Sequence, residues 1–194
     1  MPDQADRRSD PELIVAAASG DRAAFGEIVE RHQRSILHLA QALVRDRQHA
    51  EDVLQDTFLA AFRGAASYRG DAPVVNWLYS IARHAAYRLA RRSHEVASDE
   101  RSIERLGQAA GWGEQDVERA AARAELSAHL DKALATLAPD EREVITLRDA
   151  LGRSGEETAA LLGCSIPAMK SRLHRARLRL AGELRDQGGS DAAR

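Results

Sequence analysis

Residues 154–180, SGEETAALLGCSIPAMKSRLHRARLRL, restrict the fold more than any other stretch of this chain. Ser154 followed by Glu157 is a capping-box start for a short helix. Gly163 can take a positive φ and end that helix. Ser165 can then cap a second helix, with Pro167 in its first turn. Ala159 is small at mid-helix, where a second helix can cross closely. A short capped helix, a glycine turn and a long helix spell a helix-turn-helix.

On the second helix Ile166, Met169, Leu173, Ala176 and Leu180 recur at helical spacing and form an inward stripe. Lys170, Arg172, Arg175 and Arg179 fall mostly off that stripe, with Ser171 and His174 among them. Arg177 adds a further cation, yet the chain as a whole has a formal net charge of -2. The exposed face is therefore locally basic and rich in donors. A DNA major groove asks for this: the first turns of the helix reach base edges, and flanking Lys and Arg hold phosphates. A solvated face, a membrane surface or another protein could use the same pattern. The capped helix before it favours DNA. Cys164, within the turn, reads as a small packing residue.

The rest of the chain agrees with a helical protein. Its 194 residues suit one large domain or two small ones. Ala, Leu, Arg and Glu dominate, and long alternating β-branched runs are missing, so an all-α fold is expected. Cys164 is the sole cysteine, which rules out an internal disulfide and a thiolate-rich zinc site. The N-terminal stretch lacks the apolar core of a signal peptide, and no apolar run approaches the roughly 20 residues that span a bilayer. A soluble, cytoplasmic protein without membrane insertion is expected.

Composition divides the chain. Residues 1–9 are polar and expected to be disordered. Residues 10–92 read as four helices, the first with Asp10 as N-cap and Pro11 at its first position, the second capped by Asp21. Residues 93–115 are rich in Gly, Ser and charge and read as a linker, with Trp112 as a local apolar anchor or a partner contact. Residues 116–185 form a second helical unit. The tail 186–194 is expected to be disordered.

The first unit carries a different chemistry. Asp52, Gln55 and Asp56 stand at i, i+3 and i+4, on one side of a helix whose other side holds Val53, Leu54, Phe58, Ala61 and Phe62. Such a side is either a solubilising surface or a docking patch for a basic protein. Tyr68, Trp77, Tyr79 and Tyr87 then interleave with Arg69, Arg83, His84, Arg88, Arg91 and Arg92. Stacking rings beside arginines suit unpaired nucleic acid, at roughly 1–3 kcal/mol per stacked base. Trp77 and Ile81 are expected in the core; Tyr68, Arg69, His84, Arg88 and Arg91 are the surface candidates. No nucleophile–base set, metal constellation or Gly-rich phosphate loop stands out, and His32 and His38 lack acidic partners at ligand spacing. A binding protein is expected: no enzyme, no catalytic residue, no cofactor.

Residues 50–92, AEDVLQDTFLAAFRGAASYRGDAPVVNWLYSIARHAAYRLARR, and residues 137–180, LAPDEREVITLRDALGRSGEETAALLGCSIPAMKSRLHRARLRL, occur in that order. Together they resemble the bacterial extracytoplasmic-function (ECF, group 4) RNA polymerase sigma factors, over roughly residues 10–184. The resemblance implies two domains, regions 2 and 4. It implies that Asp52, Gln55 and Asp56 dock on the β′ clamp helices of core RNA polymerase, with the β flap as a further polymerase contact. It implies that the loop Tyr68, Arg69, Gly70, Asp71 and Ala72, with His84, Arg88 and Arg91, reads and opens the −10 element. It assigns −35 DNA to residues 165–179, namely Ser165, Pro167, Ala168, Lys170, Ser171, Arg172, His174, Arg175 and Arg179. It also implies an anti-sigma factor as partner, acting in a stress response.

The chain departs from the family pattern at several points. His84 and Tyr87 stand where Asn and Asp are frequent. Arg153, Gly155 and Thr158 replace apolar residues near the short helix, which implies a less tightly packed helix-turn-helix. Pro167, Ala168 and Met169 replace a frequent Gly-Thr-Val, so promoter sequence does not carry over. Two other classes stay open: a conventional helix-turn-helix regulator that binds duplex operator alone, and a protein that docks on polymerase without reading promoters. Whether promoter binding needs core polymerase separates them.

Overall fold

A computed structural model describes residues 8–44, 46–97 and 128–191. Every regular element among them is helical. The chain divides into two compact units, Met1–Val96 and Ala97–Arg194. Residues 93–97 of the expected linker 93–115 continue the last helix of the first unit, and the rest of that linker, Trp112 included, lies outside the described residues.

The first unit holds α1 (Asp10–Ala18), α2 (Arg22–Leu43), α3 (Arg47–Gly64), a 3₁₀ turn (Ala65–Ser67) and α4 (Val74–Ala97). Their starts are written locally. Asp21 accepts the Ala24 N–H at 3.0 Å, and Asp46 accepts the His49 N–H at 2.9 Å. Each satisfies a backbone donor that the first helical turn leaves over. The cap of α1 is Ser9, one residue before the expected Asp10. The Glu12 carboxylate takes both the Ser9 N–H and its hydroxyl at 2.7 Å. Asp10 is spent elsewhere: its oxygens take Arg31 at 2.6 Å and His32 at 2.7 Å on α2.

The apolar stripes of these helices meet in one core. Leu13 and Ile14 of α1, Ile28 and Leu39 of α2, Val53 of α3 and Leu78 of α4 are all at most 1% exposed. Near one end Ala40, Val44, Ala50, Val53, Ala85 and Ala86 close together, their small side chains letting α2, α3 and α4 approach. The α4 stripe is phased one step away from expectation. Tyr79 is buried, whereas Trp77 and Ile81 are half-buried.

In the second unit α5 (residues 128–136) is followed by α6 (Pro139–Ile145), which passes into a π turn (Thr146–Ala150). Next come α7 (Gly155–Leu162) and α8 (Ile166–Asp191). Leu137, Val144, Leu147 and Met169 are buried between them. Residues 186–191, expected to be disordered, continue α8.

The helix-turn-helix is α7–α8. Ser154 N–H donates to Glu157 at 2.8 Å, and Ser154 Oγ accepts the Glu157 N–H at 3.1 Å, a complete capping box. Gly163 ends α7 with φ 64°, a left-handed conformation that a β-carbon disfavours. Cys164 N–H donates back to the Ala159 carbonyl at 3.0 Å, and Ser165 Oγ takes the Ala168 N–H at 3.3 Å to open α8. The pair is not loose at Gly155: a β-carbon there would stand 3.4 Å from Met169 Cε. Met169 seats against the start of α7 at 1% exposure.

Candidate docking and nucleic-acid-binding faces

On α3 the core takes Val53, Thr57, Phe58 and Ala61, which leaves Asp52, Gln55 and Asp56 together on the exposed side. Phe25 of α2 meets Phe58 and Phe62 edge-on, with ring centroids 6.3 and 5.0 Å apart, and fixes the rotation of α3. The side chains of Asp52 and Gln55 make no hydrogen bond or ion pair among the described residues. The Asp56 side chain has one partner among the described residues, Arg88 of α4, at 3.3 Å. Leu59, one turn beyond Gln55, is exposed on the same side, an apolar neighbour that charge patterning had not singled out.

The loop after α3 is shaped by Tyr68. Its hydroxyl donates to the Ala72 carbonyl at 2.6 Å, and its ring centroid lies 5.3 Å from that of Trp77. Burial, with smaller contributions from Asp10 and Asp71, holds its phenol above the ordinary tyrosine range. Tyr68 is thus half-buried and closes the loop. Arg69, Gly70, Asp71 and Ala72 are exposed, and Gly70 takes φ 77°, which the turn requires. Along α4, His84, Arg88 and Arg91 are exposed at i, i+4 and i+7 and share one face. Arg83 lies 5.2 Å above the Tyr87 ring, a cation–π contact that occupies that aromatic. The interleaved pattern therefore resolves into one buried tyrosine, three rings engaged in the fold's own contacts and a row of basic groups.

On α8, Met169, Leu173 and Ala176 are buried as expected. Ser165, Pro167, Ala168, Lys170, Ser171, His174, Arg175 and Arg179 are exposed, and Arg172 is intermediate. The cations fall into two groups. Arg172 Nε stands 3.3 Å from Asp140. Arg179 Nη1 stands 2.9 Å from Glu141. Arg177 makes a two-pronged contact with Asp149, at 2.6 and 3.0 Å, and those hydrogen bonds raise its basicity further. Lys170, His174 and Arg175 make no ion pair among the described residues. By position along the helix alone, Arg172 is expected nearest the base edges, Arg175 at the groove wall and Arg179 at phosphate or solvent. The acidic residues of α6 separate them, and that signal sits about thirty residues upstream in PDERE, where nothing local reveals its target.

Among the described residues no cluster of His, Cys, Asp or Glu could hold a metal ion, and no helix is long and apolar enough to cross a membrane.

Comparison with known proteins places both units. Residues 28–95 match Sigma-70 region 2, and residues 128–180 match Sigma-70, region 4. The chain is 36% identical over 176 residues to the ECF RNA polymerase sigma factor SigM of Mycobacterium tuberculosis, covering 90% of this chain and 84% of that protein. It is 34% identical over 188 residues to the RNA polymerase sigma factor CnrH of Cupriavidus metallidurans, covering 94% and 96%. Among solved structures, CnrH in complex with the cytosolic domain of CnrY is similar with a TM-score of 0.68 and 32% identity, over 92% of this chain and 99% of that one. The sigma factor RpoE of Bartonella quintana, in complex with the anti-sigma factor NepR, gives a TM-score of 0.68 and 31% identity, over 83% and 96%.

Proposed function

We infer the role of the chain from its family: it belongs to the extracytoplasmic-function RNA polymerase sigma factors. It binds core RNA polymerase, directs it to promoters and helps to melt the −10 element at initiation. We propose the group 4 architecture. The span between the two matched regions, residues 96–127, is shorter than the ~50 residues a further domain needs.

The observation that carries the reading is the coexistence of two faces of opposite charge, one in each unit. On α3, Asp52, Gln55 and Asp56 offer an acidic docking patch for the basic surface of the β′ clamp helices. On α8, Lys170, Ser171, His174 and Arg175 offer donors to a major groove, with Ser165, Pro167 and Ala168 at its mouth. Between these roles, the loop 68–72 with His84, Arg88 and Arg91 suits the opened −10 strand. Melting then needs no nucleotide hydrolysis and no catalytic group. Capture of unstacked bases offsets an unstacking cost of a few kcal/mol. The protein acts where polymerase acts, in the cytoplasm, as a specificity subunit with no enzymatic step. Anti-sigma control in a stress response is proposed from the relative solved with NepR.

Run-off transcription tests the proposal. Core polymerase plus this protein should initiate on the DNA upstream of its own gene, where core alone does not. Tight binding of promoter duplex by the protein without core would instead identify a conventional regulator. Binding to core without transcription would identify a docking protein.

A further inference from the structure

We propose that Arg179 and Glu141, seconded by Arg172 and Asp140, position the recognition helix and do not touch DNA. Reading is thereby left to Lys170, Ser171, His174 and Arg175. The inference rests on the −35 reading proposed for α8.

Glu141 is the third residue of α6, and its side chain is only 7% exposed. Its Oε2 accepts the Ala138 N–H at 3.2 Å and an Arg179 N–H at 2.9 Å. A carboxylate so far removed from water demands a cation, because its desolvation is otherwise uncompensated. Arg179 fills that demand and is committed by it. An exposed pair can open toward a phosphate at little cost, but opening this one would strand Glu141. The Arg179 side chain is 63% exposed as a whole, but the carboxylate its Nη1 meets at 2.9 Å belongs to a side chain only 7% exposed.

Arg172 lies two turns before Arg179 on the same flank of α8, about 10 Å away along the axis. It pairs with Asp140, the neighbour of Glu141. One contact would let a helix slide or roll; two contacts that far apart resist both motions. Arg177 and Asp149 hold the opposite flank from the π turn. The face between the two flanks carries Lys170 with His174, and Ser171 with Arg175, each pair one turn apart. Neither Lys170 nor Arg175 has a carboxylate partner among the described residues. Major-groove recognition depends on holding such side chains in register with the base edges, so the braces act on specificity through them.

The test uses holoenzyme and a small library of −35 variants, well below the melting temperature of each protein. Arg179→Gln and Glu141→Gln should each weaken promoter binding about threefold or more, with the double variant no weaker than either alone, as coupled residues behave. Both should narrow the spread between preferred and disfavoured −35 sequences, and Arg179→Lys should restore it. Their salt slopes should equal that of the wild type. Arg175→Gln should weaken binding and reduce the slope by about one, as loss of a nucleic-acid contact does. The inference is overturned if Arg179→Gln lowers the slope in the same way while Glu141→Gln leaves affinity unchanged or raises it. Arg179 would then be a phosphate contact that Glu141 restrains. If Lys170→Ala and Arg175→Gln both leave holoenzyme binding intact, the −35 reading itself fails, whatever the braces do.

Discussion

The charged faces of α3 and α8 differ in more than sign. On α3 the exposed Asp52 and Gln55 are unengaged among the described residues, and Asp56 has only Arg88, with both side chains about half exposed. The helix is held instead by apolar contacts on its far side, such as Phe58 and Phe62 against Phe25. On α8 much of the charge works inside the domain. Arg172, Arg177 and Arg179 answer Asp140, Asp149 and Glu141, and the cations left over are fewer than the sequence suggests. Charge density along a helix thus measures binding capacity only when the elements beneath it carry no opposite charge. An aromatic-backed helix exports its charge; a helix packed on an acidic neighbour consumes part of it.

The largest expected effect asks whether the two units are energetically separate. Leu39 is 1% exposed in the first core, and Leu39→Ala should cost about 2–5 kcal/mol. Thermal unfolding should show a lowered transition for the first unit while amide exchange at Leu173 and Ala176 stays unchanged. Loss of protection in both units together would show that the two cores melt as one.

Next in size is the docking face. The double change Gln55→Ala and Asp56→Arg should weaken binding to core polymerase by about thirtyfold or more, the scale of an interface hot spot. Helicity by circular dichroism should be unaltered, since both residues are exposed. The matching pair of changes on α8, Arg172→Ala and Arg177→Ala, should leave core binding alone and lower the stability of the second unit. If α3 loses stability and α8 loses none, the contrast drawn between the faces is inverted.

A smaller change sharpens the account of the helix-turn-helix. Thr158 is fully buried on α7, and its hydroxyl oxygen has no hydrogen-bond partner among the described residues. Thr158→Val keeps the shape and removes the stranded hydroxyl, so it should stabilise the second unit by about 1 kcal/mol. Chemical denaturation would register this as a raised midpoint.

The smallest effect lies at the caps. Glu12 is held below the ordinary carboxylate range chiefly by the Ser9 N–H, and Asp21 chiefly by the Ala24 N–H. A lowered folded-state pKa stabilises above the unfolded value and is lost as pH falls through the folded one. The starts of α1 and α2 should therefore loosen as pH drops below about 4, where free carboxylates titrate. Glu12→Gln should flatten this dependence in an acid titration followed by circular dichroism. Both carboxylates are exposed, so a steep change would point to other groups.

How much of this could be read beforehand depended on distance along the chain. Ser154, Glu157, Gly163 and Ser165 act on neighbours within four residues, and their roles were legible. Asp10 has the chemistry of a cap, but Arg31 and His32, more than twenty residues on, claim it and leave Ser9 at the helix start. The period of α4 was legible and its phase was not. Half-buried Trp77 packs on the Tyr68 ring, with centroids 5.3 Å apart, and Tyr79 takes the core position. The acidic, polar and basic faces could be located from spacing alone. Which members of the basic face stay available could not, because that is decided by where α6 crosses α8. Leu59 escaped notice because an apolar residue on a helix that is already half apolar carries no signal until its exposure is known.

Finally, α8 outruns the core that supports it. Among the residues whose burial is described, up to residue 186, the last buried one is Ala176, with Leu180 half-buried, yet the helix continues to Asp191. At ~1.5 Å per residue the extension measures roughly 22 Å. For protein engineering this is a built-in spacer. A dye, affinity handle or fused domain attached at the end of α8 would be carried about two nanometres past the Ala176 layer, away from the α7–α8 turn at its other end. Distances measured from such a label would report the direction of α8 itself, because label and helix are one continuous rod.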